Sequence, residues 1–327
     1  MKITFWGVRG SLPAPLCAEQ VMERIIGAVA GAEGVECSDM DAVRAYVAKL
    51  PFCKRATFGG NTPCVEVRSG DDFLIFDAGS GIRLLGKKLM DGAFGRGEGT
   101  AHILLSHTHW DHIMGFPFFA PAYVPGNRIV FYGCHDNIEA RMKHQQNREH
   151  FPVEMDSMSA DFEFVKMDTR KKIQIGPFTV RALKQFHPGA SYGYRVEVED
   201  EAVVYATDSE YESMDLSYLS KYLTFFRNAD VLIFDAFVGP GENIKKQNWG
   251  HSSALYGVDI ATEAGVKKLV LFHHDPERSD EAIQQILEEA VAYAKRTRGD
   301  SALEIVPAYD GLKIETSHTK PSVKHKT

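Results

Sequence analysis

His102-Ile103-Leu104-Leu105-Ser106-His107-Thr108-His109-Trp110-Asp111-His112 decides the reading of this chain. Its first five residues are a short, mostly apolar run of the kind that forms a buried strand. The run stops at His-x-His-x-Asp-His. A strand ending in a tight turn can converge several side chains on one point. Imidazole and carboxylate both suit zinc, manganese or iron. Four residues of ligand type within six positions is denser than helix capping or local hydrogen bonding requires, so His107, His109, Asp111 and His112 are taken as metal ligands.

Four such residues do not complete two metal sites, so further ligands are expected where other strands end. Three candidates each sit just after an apolar strand: His187 in Lys184-Gln185-Phe186-His187 beyond Phe178–Leu183, Asp208 in Tyr205-Ala206-Thr207-Asp208 beyond Ala202–Tyr205, and His273 in Val270-Leu271-Phe272-His273. His274 and Asp275 stand beside His273, which is preferred because it comes immediately after the run. The repeated pattern of strand and then ligand implies that these loops open on one face.

Other runs read as strands in the same way. They are Ile3–Val8, Cys64–Val67, Phe73–Phe76, Arg128–Tyr132, Phe178–Leu183, Gly193–Val198 and Val231–Phe234. Helical spacing appears at Ser252–Ala264 and Asp280–Thr297, each opened by a Ser or Asp cap. Strands come in groups with helices interspersed, which favours two sheets with helices outside over one parallel sheet in strict alternation. Residues 18–54 read as an insertion with two helical pieces, Glu19–Gly31 and Asp39–Leu50. Asp136 to Lys166 reads as irregular with one helical piece. Residues 316–327 are polar and lysine-rich and read as a disordered tail. No linker divides residues 1–315, which are expected to form one domain.

Net charge is −7, which gives no electrostatic footprint for nucleic acid. The five cysteines are odd in number and form no Cys-x-x-Cys pair, which argues against a disulfide framework or a zinc knuckle. The chain opens directly on a strand without a signal-like segment, and no apolar run approaches the ~18 residues of a membrane span. A cytoplasmic protein is the expectation, with no membrane partner.

On these residues the sequence resembles the metallo-β-lactamase superfamily, over nearly all of Met1 to Glu315. The resemblance implies a four-layer αββα sandwich with two divalent metal ions at one edge, zinc first, with manganese or iron accepted by the same ligands. It implies one ion on His107, His109 and His187, a second on Asp111, His112 and His273, and Asp208 bridging them. The histidine after Asp111 disfavours the lactam-cleaving branch, and His109, where an acid would stand, disfavours the flavodiiron branch. Within the superfamily the chain is most similar to ribonuclease Z and its related phosphodiesterases, through Trp249-Gly250-His251-Ser252-Ser253 and Gly265–His273. The likeness implies that His251 protonates the leaving oxygen and that Asp235, where Glu is more usual, orients it. Trp6–Pro13, Phe58–Pro63 and Phe76–Gly81 also fit the pattern. Asp77 reads both as a partner for a ligand histidine and as a turn-forming Asp before Gly.

The family's tRNA-gripping arm falls between the positions matching His187 and Asp208. Here residues 188–207 hold only a strand pair, so tRNA is not an expected partner. The expected function is two-metal hydrolysis of a small phosphodiester, such as a cyclic nucleotide or cyclic phosphate, by metal-activated water. Asp111, His251 and Asp235 are the catalytic candidates. Tyr194 and Arg195 are candidate substrate contacts, Arg195 reading equally as a solvated strand residue. The rivals are a lactone or thioester hydrolase on the same metals, an RNA-processing nuclease without the arm, a nucleotide sensor with a dead site, and an iron redox protein. Because such relatives often pair, a homodimer is also an expectation of the resemblance.

Overall fold

The structure is a computed structural model that describes residues 1–239, 241–242, 246–299 and 302–316. Its strands, in chain order, are β1 (Lys2–Gly7), β2 (Cys64–Ser69), β3 (Asp72–Phe76), β4 (Thr100–Leu104), β5 (Arg128–Gly133), β6 (Asp161–Lys166), β7 (Ile173–Ile175), β8 (Phe178–Gln185), β9 (Ser191–Val198), β10 (Glu201–Ala206), β11 (Val231–Asp235), β12 (Lys268–Phe272), β13 (Glu304–Pro307) and β14 (Lys313–Glu315). The helices are α1 (Ala18–Ala30), α2 (Met40–Lys49), α3 (Phe52–Arg55), α4 (Ile82–Leu89), α5 (Trp110–Ile113), α6 (Ile138–Gln145), α7 (Leu216–Phe226), α8 (Ala254–Glu263) and α9 (Asp280–Arg298).

The strands form two seven-stranded sheets, ordered β14-β1-β2-β3-β4-β5-β6 and β13-β12-β11-β10-β9-β8-β7. Each sheet is half antiparallel and half parallel. In the first, pairing changes to parallel between β3 and β4; in the second, it does so between β10 and β11. Three β-α-β crossovers in the second sheet, through α7, α8 and α9, supply the parallel half.

Both faces of the central strands are apolar, and alternation sorts their residues into layers. Phe5, Val65, Leu74, Phe76 and Leu104 of the first sheet meet Val180, Tyr194, Val203, Tyr205, Ile233 and Phe272 of the second in one shared core. The alternate residues face outward. Ile75, Ala101, Ile103 and Phe131 pack under Ile82 and Leu85 of α4 and the Phe116–Phe119 turn. Val204, Leu232, Phe234, Leu269 and Leu271 pack under α7, α8 and α9. Helices therefore cover two stacked sheets on their outer faces, the four-layer αββα sandwich.

The insertion is helical where its spacing predicts it. No residue of α1 or α2 is buried, and α1 presents Val21, Met22, Ile25, Ile26 and Val29 to solvent. Arg24 anchors α1 to the body, donating to the carboxylate of Asp280 at 2.6 Å. Four strands fall outside the predicted set: β6 lies in the stretch read as irregular, and β7, β13 and β14 are three- or four-residue pieces. Among the described residues no helix is long and apolar enough to cross a membrane. Residues 317–327 of the expected tail lie outside the described residues.

Candidate metal centre

Every ligand candidate stands at the C-terminal end of a strand or in the turn beyond it. His107 to His112 follow β4, His187 follows β8, Asp208 follows β10 and His273 follows β12. Asp77, beyond β3, and Asp235, the last residue of β11, share this edge. The chain accepts unfavourable backbone to bring them together. Asp77, Asp208 and His273 all have positive φ, at 58°, 52° and 59°, a left-handed conformation that non-glycine residues rarely adopt.

The side chains converge. The Nδ1 of His109 faces His107 Nε2 at 2.9 Å and His187 Nε2 at 3.1 Å. His112 Nε2 lies 3.2 Å from both Asp111 Oδ2 and Asp208 Oδ1. His273 Nε2 lies 3.1 Å from Asp111 Oδ2 and 3.3 Å from Asp208 Oδ1. The other Asp208 oxygen faces His187 Nε2 at 3.6 Å and His107 Nε2 at 3.8 Å. Two triads capable of holding an ion result, His107-His109-His187 and Asp111-His112-His273, and His107, His112 and Asp208 form a third group between them. The structure turns His274 the other way. Its Nε2 faces the carbonyl of Ala308 at 2.9 Å, and burial pushes its pKa down to about 3.

The donor set fits two cations. Three imidazole nitrogens meeting at one point cannot all be satisfied by protons shared among themselves, whereas a cation satisfies all three. The protonation preferences conflict in the same sense. Burial, reinforced by the neighbouring histidines, holds His107 well below the ordinary histidine range. Burial would lower His112 too, but Asp111, Asp208 and Asp77 outweigh it and raise it. Burial would raise Asp208, yet His273 and His112 hold it well below the usual carboxylate range. Adjacent imidazoles are thus driven in opposite directions while buried carboxylates stay ionised, an arrangement that divalent cations relieve.

Supporting contacts hold several of the candidate ligands in orientation. His112 Nδ1 faces Asp77 Oδ2 at 2.8 Å. That carboxylate also accepts from Ser106 N at 2.7 Å, Ser106 Oγ at 2.8 Å and Tyr205 OH at 2.7 Å. Asp77 is therefore a partner of His112, one of the candidate ligands. His187 Nδ1 faces the carbonyl of Gly250 at 2.8 Å. Gly250 has φ of 82°, and a Cβ there would lie 2.3 Å from His187 Nδ1, so glycine is required twice over. The backbone N–H of Ser11 donates to Asp111 Oδ2 at 2.8 Å. Ser106, Tyr205 and Ser11 escaped sequence reasoning. Ser106 precedes His107 directly, but nothing local marks the other two, which reach the centre from distant strands and turns.

His251 stands next to the cluster. Its ring centroid lies 5.2 Å from that of His187 and 5.1 Å from that of His273, and it stacks on Phe237 at 4.3 Å. Its Nδ1 faces Asp235 Oδ2 at 2.7 Å. Burial works against the charged ring, but Asp235 more than compensates and pushes His251 up to about 9. Asp235 is fully buried.

Tyr194 and Arg195 do not join the site. Tyr194 is wholly buried between the sheets, where its hydroxyl donates to the carbonyl of Leu105 at 2.6 Å. Arg195 points to the opposite face of the same sheet. Its guanidinium donates to the carbonyls of Phe225 and Arg227 at 3.0 and 2.9 Å and to Glu197 at 2.7 Å. Both residues lie well down β9, whose first residues are the ones beside the ligand turn: Tyr192 N donates to Ser106 O. The expectation that they touch substrate is corrected. Tyr194 braces the turn that carries His107, and Arg195 caps the end of α7.

Known proteins agree with this architecture. The chain is 27% identical over 209 residues to the probable metallo-hydrolase YhfI of Bacillus subtilis, covering 63% of this chain and 77% of that one. It is 23% identical over 301 residues to ribonuclease Z of Haloarcula marismortui, covering 77% and 90%. The crystal structure of YhfI superposes with a TM-score of 0.63 at 21% identity, over 96% of this chain and 98% of that one. A diphosphatase of the PhnP family superposes with a TM-score of 0.57 at 19% identity, over 97% and 98%. The family profile of the beta-lactamase superfamily domain matches residues 73–274, more than half of the chain and the whole span from Asp77 to His274. With two stacked sheets, helices outside and the histidine–aspartate cluster at one edge, this protein belongs to the beta-lactamase superfamily.

Proposed function

We propose that this protein is a binuclear metal-dependent phosphodiesterase acting on a small phosphodiester. The observation that carries this reading is the His251–Asp235 pair, a buried proton donor held beside a cluster that already has seven ligands. Hydrolysis of a carboxylic ester or thioester on the same cluster has less need of it, because water activation is supplied elsewhere. Expulsion of an alkoxide from phosphorus benefits directly from a positioned acid.

In this reading His107, His109 and His187 hold one ion, Asp111, His112 and His273 hold the other, and Asp208 lies between. Two divalent ions there would supply an activated water and neutralise charge developing on the phosphoryl oxygens. The protein's own groups do the rest. Asp235 fixes the tautomer of His251 by accepting from Nδ1, which turns Nε2 toward the cluster. From there the imidazolium gives its proton to the departing ester oxygen. Asp77 holds His112 in orientation, and Gly250 O does the same for His187. Relatives named as a ribonuclease and as a diphosphatase point toward the same class of chemistry.

A small substrate is supported by the segment between His187 and Asp208. It is filled by β9 and β10, which pair from Glu201↔Val198 to Tyr205↔Tyr194 across a tight turn and leave no residues for an arm. The test is a metal-reconstituted assay. Protein stripped and reloaded with zinc, manganese or iron is given bis(p-nitrophenyl) phosphate, a cyclic nucleotide, a lactone and a thioester, with His251→Ala in parallel. Metal-dependent phosphodiester cleavage is expected, and on a cyclic nucleotide, whose leaving group is an alkoxide, it should collapse by ~10²–10⁴ in His251→Ala. Cleavage of the lactone or thioester alone, or indifference to His251 on the cyclic nucleotide, would overturn the reading.

A further inference from the structure

The ligand motif has a second side. While His107, His109, Asp111 and His112 turn into the cluster, the intervening Thr108 and Trp110 and the following Ile113 line an open cavity of about 460 Å³ together with Arg141, His144, Gln145 and His150. Chain neighbours are about 3.8 Å apart at Cα, so this cavity lies within one nucleotide's reach of the ions' site.

Its chemistry is specific. Trp110 is 75% exposed, although indole is highly buried on average in folded proteins. It is held there by the ligand turn itself. Met114 N donates to Trp110 O at 2.7 Å, and Ala78 N donates to His112 O at 2.7 Å. Across the cavity Arg141 donates from Nη1 to Thr108 Oγ1 at 3.1 Å, which fixes the guanidinium against the motif. No carboxylate is among the residues lining the cavity, and Asp136, which interacts with Arg141 electrostatically, is itself bonded to Lys166. Gln145 is tied to the carbonyl of Ile113 at 3.1 Å, so the wall carrying Arg141 is joined to the motif twice. An exposed aromatic face, a fixed guanidinium and no acid form a surface that stacks a nucleobase and attracts an anion.

We propose that this cavity is a nucleobase subsite, with the base stacked on Trp110 and Arg141 contacting a phosphate beside it. The proposal rests on the phosphodiesterase reading and names its substrate class: a nucleotide phosphodiester, with base recognition built into the metal-binding motif at Trp110.

The test is equilibrium binding to the zinc-loaded protein, comparing adenosine 5′-monophosphate with ribose 5-phosphate by calorimetry and tryptophan quenching. The two share a phosphate and differ in the base. The wild type is expected to bind the nucleotide at least ~10-fold more tightly, the size that one stacked base supplies. Trp110→Ala should bring the two ligands to parity and abolish the quenching, Trp110→Phe should keep most of the preference, and Arg141→Gln should weaken both ligands. Equal binding of the two by the wild type, or a preference that survives in Trp110→Ala, overturns the subsite. Cleavage of bis(p-nitrophenyl) phosphate by the same preparations separates the two claims. Cleavage without a base preference removes the subsite alone. A base preference without cleavage keeps the subsite and removes the phosphodiesterase reading.

Discussion

Gly10→Ala is expected to empty half of the metal centre without disturbing the backbone. A Cβ built on Gly10 would lie 2.5 Å from His273 Cε1 and 2.6 Å from Nδ1. Gly10 does not have positive φ, so alanine meets no backbone strain and the clash falls on the ring. To restore ordinary contact the imidazole must retreat by about 1 Å, several times the ~0.2 Å tolerance of a metal–ligand bond. Disturbing a partner that merely orients a ligand costs about 10–100-fold in affinity, and displacing the ligand itself should cost at least that at the subsite of Asp111, His112 and His273. The other subsite should be spared. The assay is zinc titration against a chromogenic chelator, with ion content measured by mass spectrometry after dialysis. Two ions are expected for wild type and one tight, one weakened for the variant. The control is Gly27→Ala on α1, where the added Cβ meets nothing within 4 Å. It should bind zinc normally and gain about 0.5–1 kcal/mol from helix propensity. Two wild-type affinities in a folded Gly10→Ala protein would refute the assignment of His273 and the reasoning behind it.

Three further outcomes are expected. Arg9 is buried and donates to Asp280 at 3.1 Å and to the carbonyls of Gly59 and Arg278 at 2.8 and 2.9 Å, so Arg9→Met should lower stability by about 3–5 kcal/mol in urea unfolding of the metal-free protein; a change below about 1 kcal/mol would contradict the arrangement. Thiol titration of the native protein should find Cys17 and Cys37 promptly, since both are exposed, and Cys134 only slowly, because burial pushes its thiol up to about 12; prompt reaction of all five would mean that the sandwich opens. Burial raises Asp310 to about 6 despite hydrogen bonds from Gly60 and Asn61. The folded state then binds the extra proton, so the stability linked to Asp310 is fully present below about pH 4 and is lost as pH rises through about 6. The span is at most about 3 kcal/mol, and less because the residue as a whole is only half-buried. Asp310→Asn should flatten that part of the urea-midpoint profile, and an unchanged profile would discount the shift.

The sequence showed the histidine–aspartate cluster because four of its side chains share six positions and the other three each follow an apolar strand. The central strands were legible for the same physical reason: residues buried on both faces write continuous apolar runs. Edge strands write no such run. β6 alternates Phe162 and Phe164 with charged residues, and β7 and β14 have three residues each, too few for a pattern. Tyr194 and Arg195 misled because nearness to His187 in the chain is not nearness in space. β9 leads away from the edge at about 3.4 Å per residue, and its alternation sends one side chain between the sheets and the other out beneath α7. Local pattern also cannot show pairings across long chain separations. Tyr205 reaches Asp77 over 128 residues across the stacked sheets, and Ser11 reaches Asp111 over 100 along the edge of the first sheet.

On the proposed assignment, the division of the candidate ligands between the sheets also governs when the centre can form. His107, His109, Asp111 and His112 belong to the first sheet's edge, and His187, Asp208 and His273 to the second's. The first four are available to an ion as soon as one short turn exists. The other three arrive only when a second sheet, whose first strand begins at Ile173, has docked. An ion caught early by the turn would be loosely held and exchangeable, and full affinity would appear only with the final docking. Maturation should therefore run from weak, promiscuous capture to tight retention, and the choice of metal is settled late, by whichever ion is present as the two halves close.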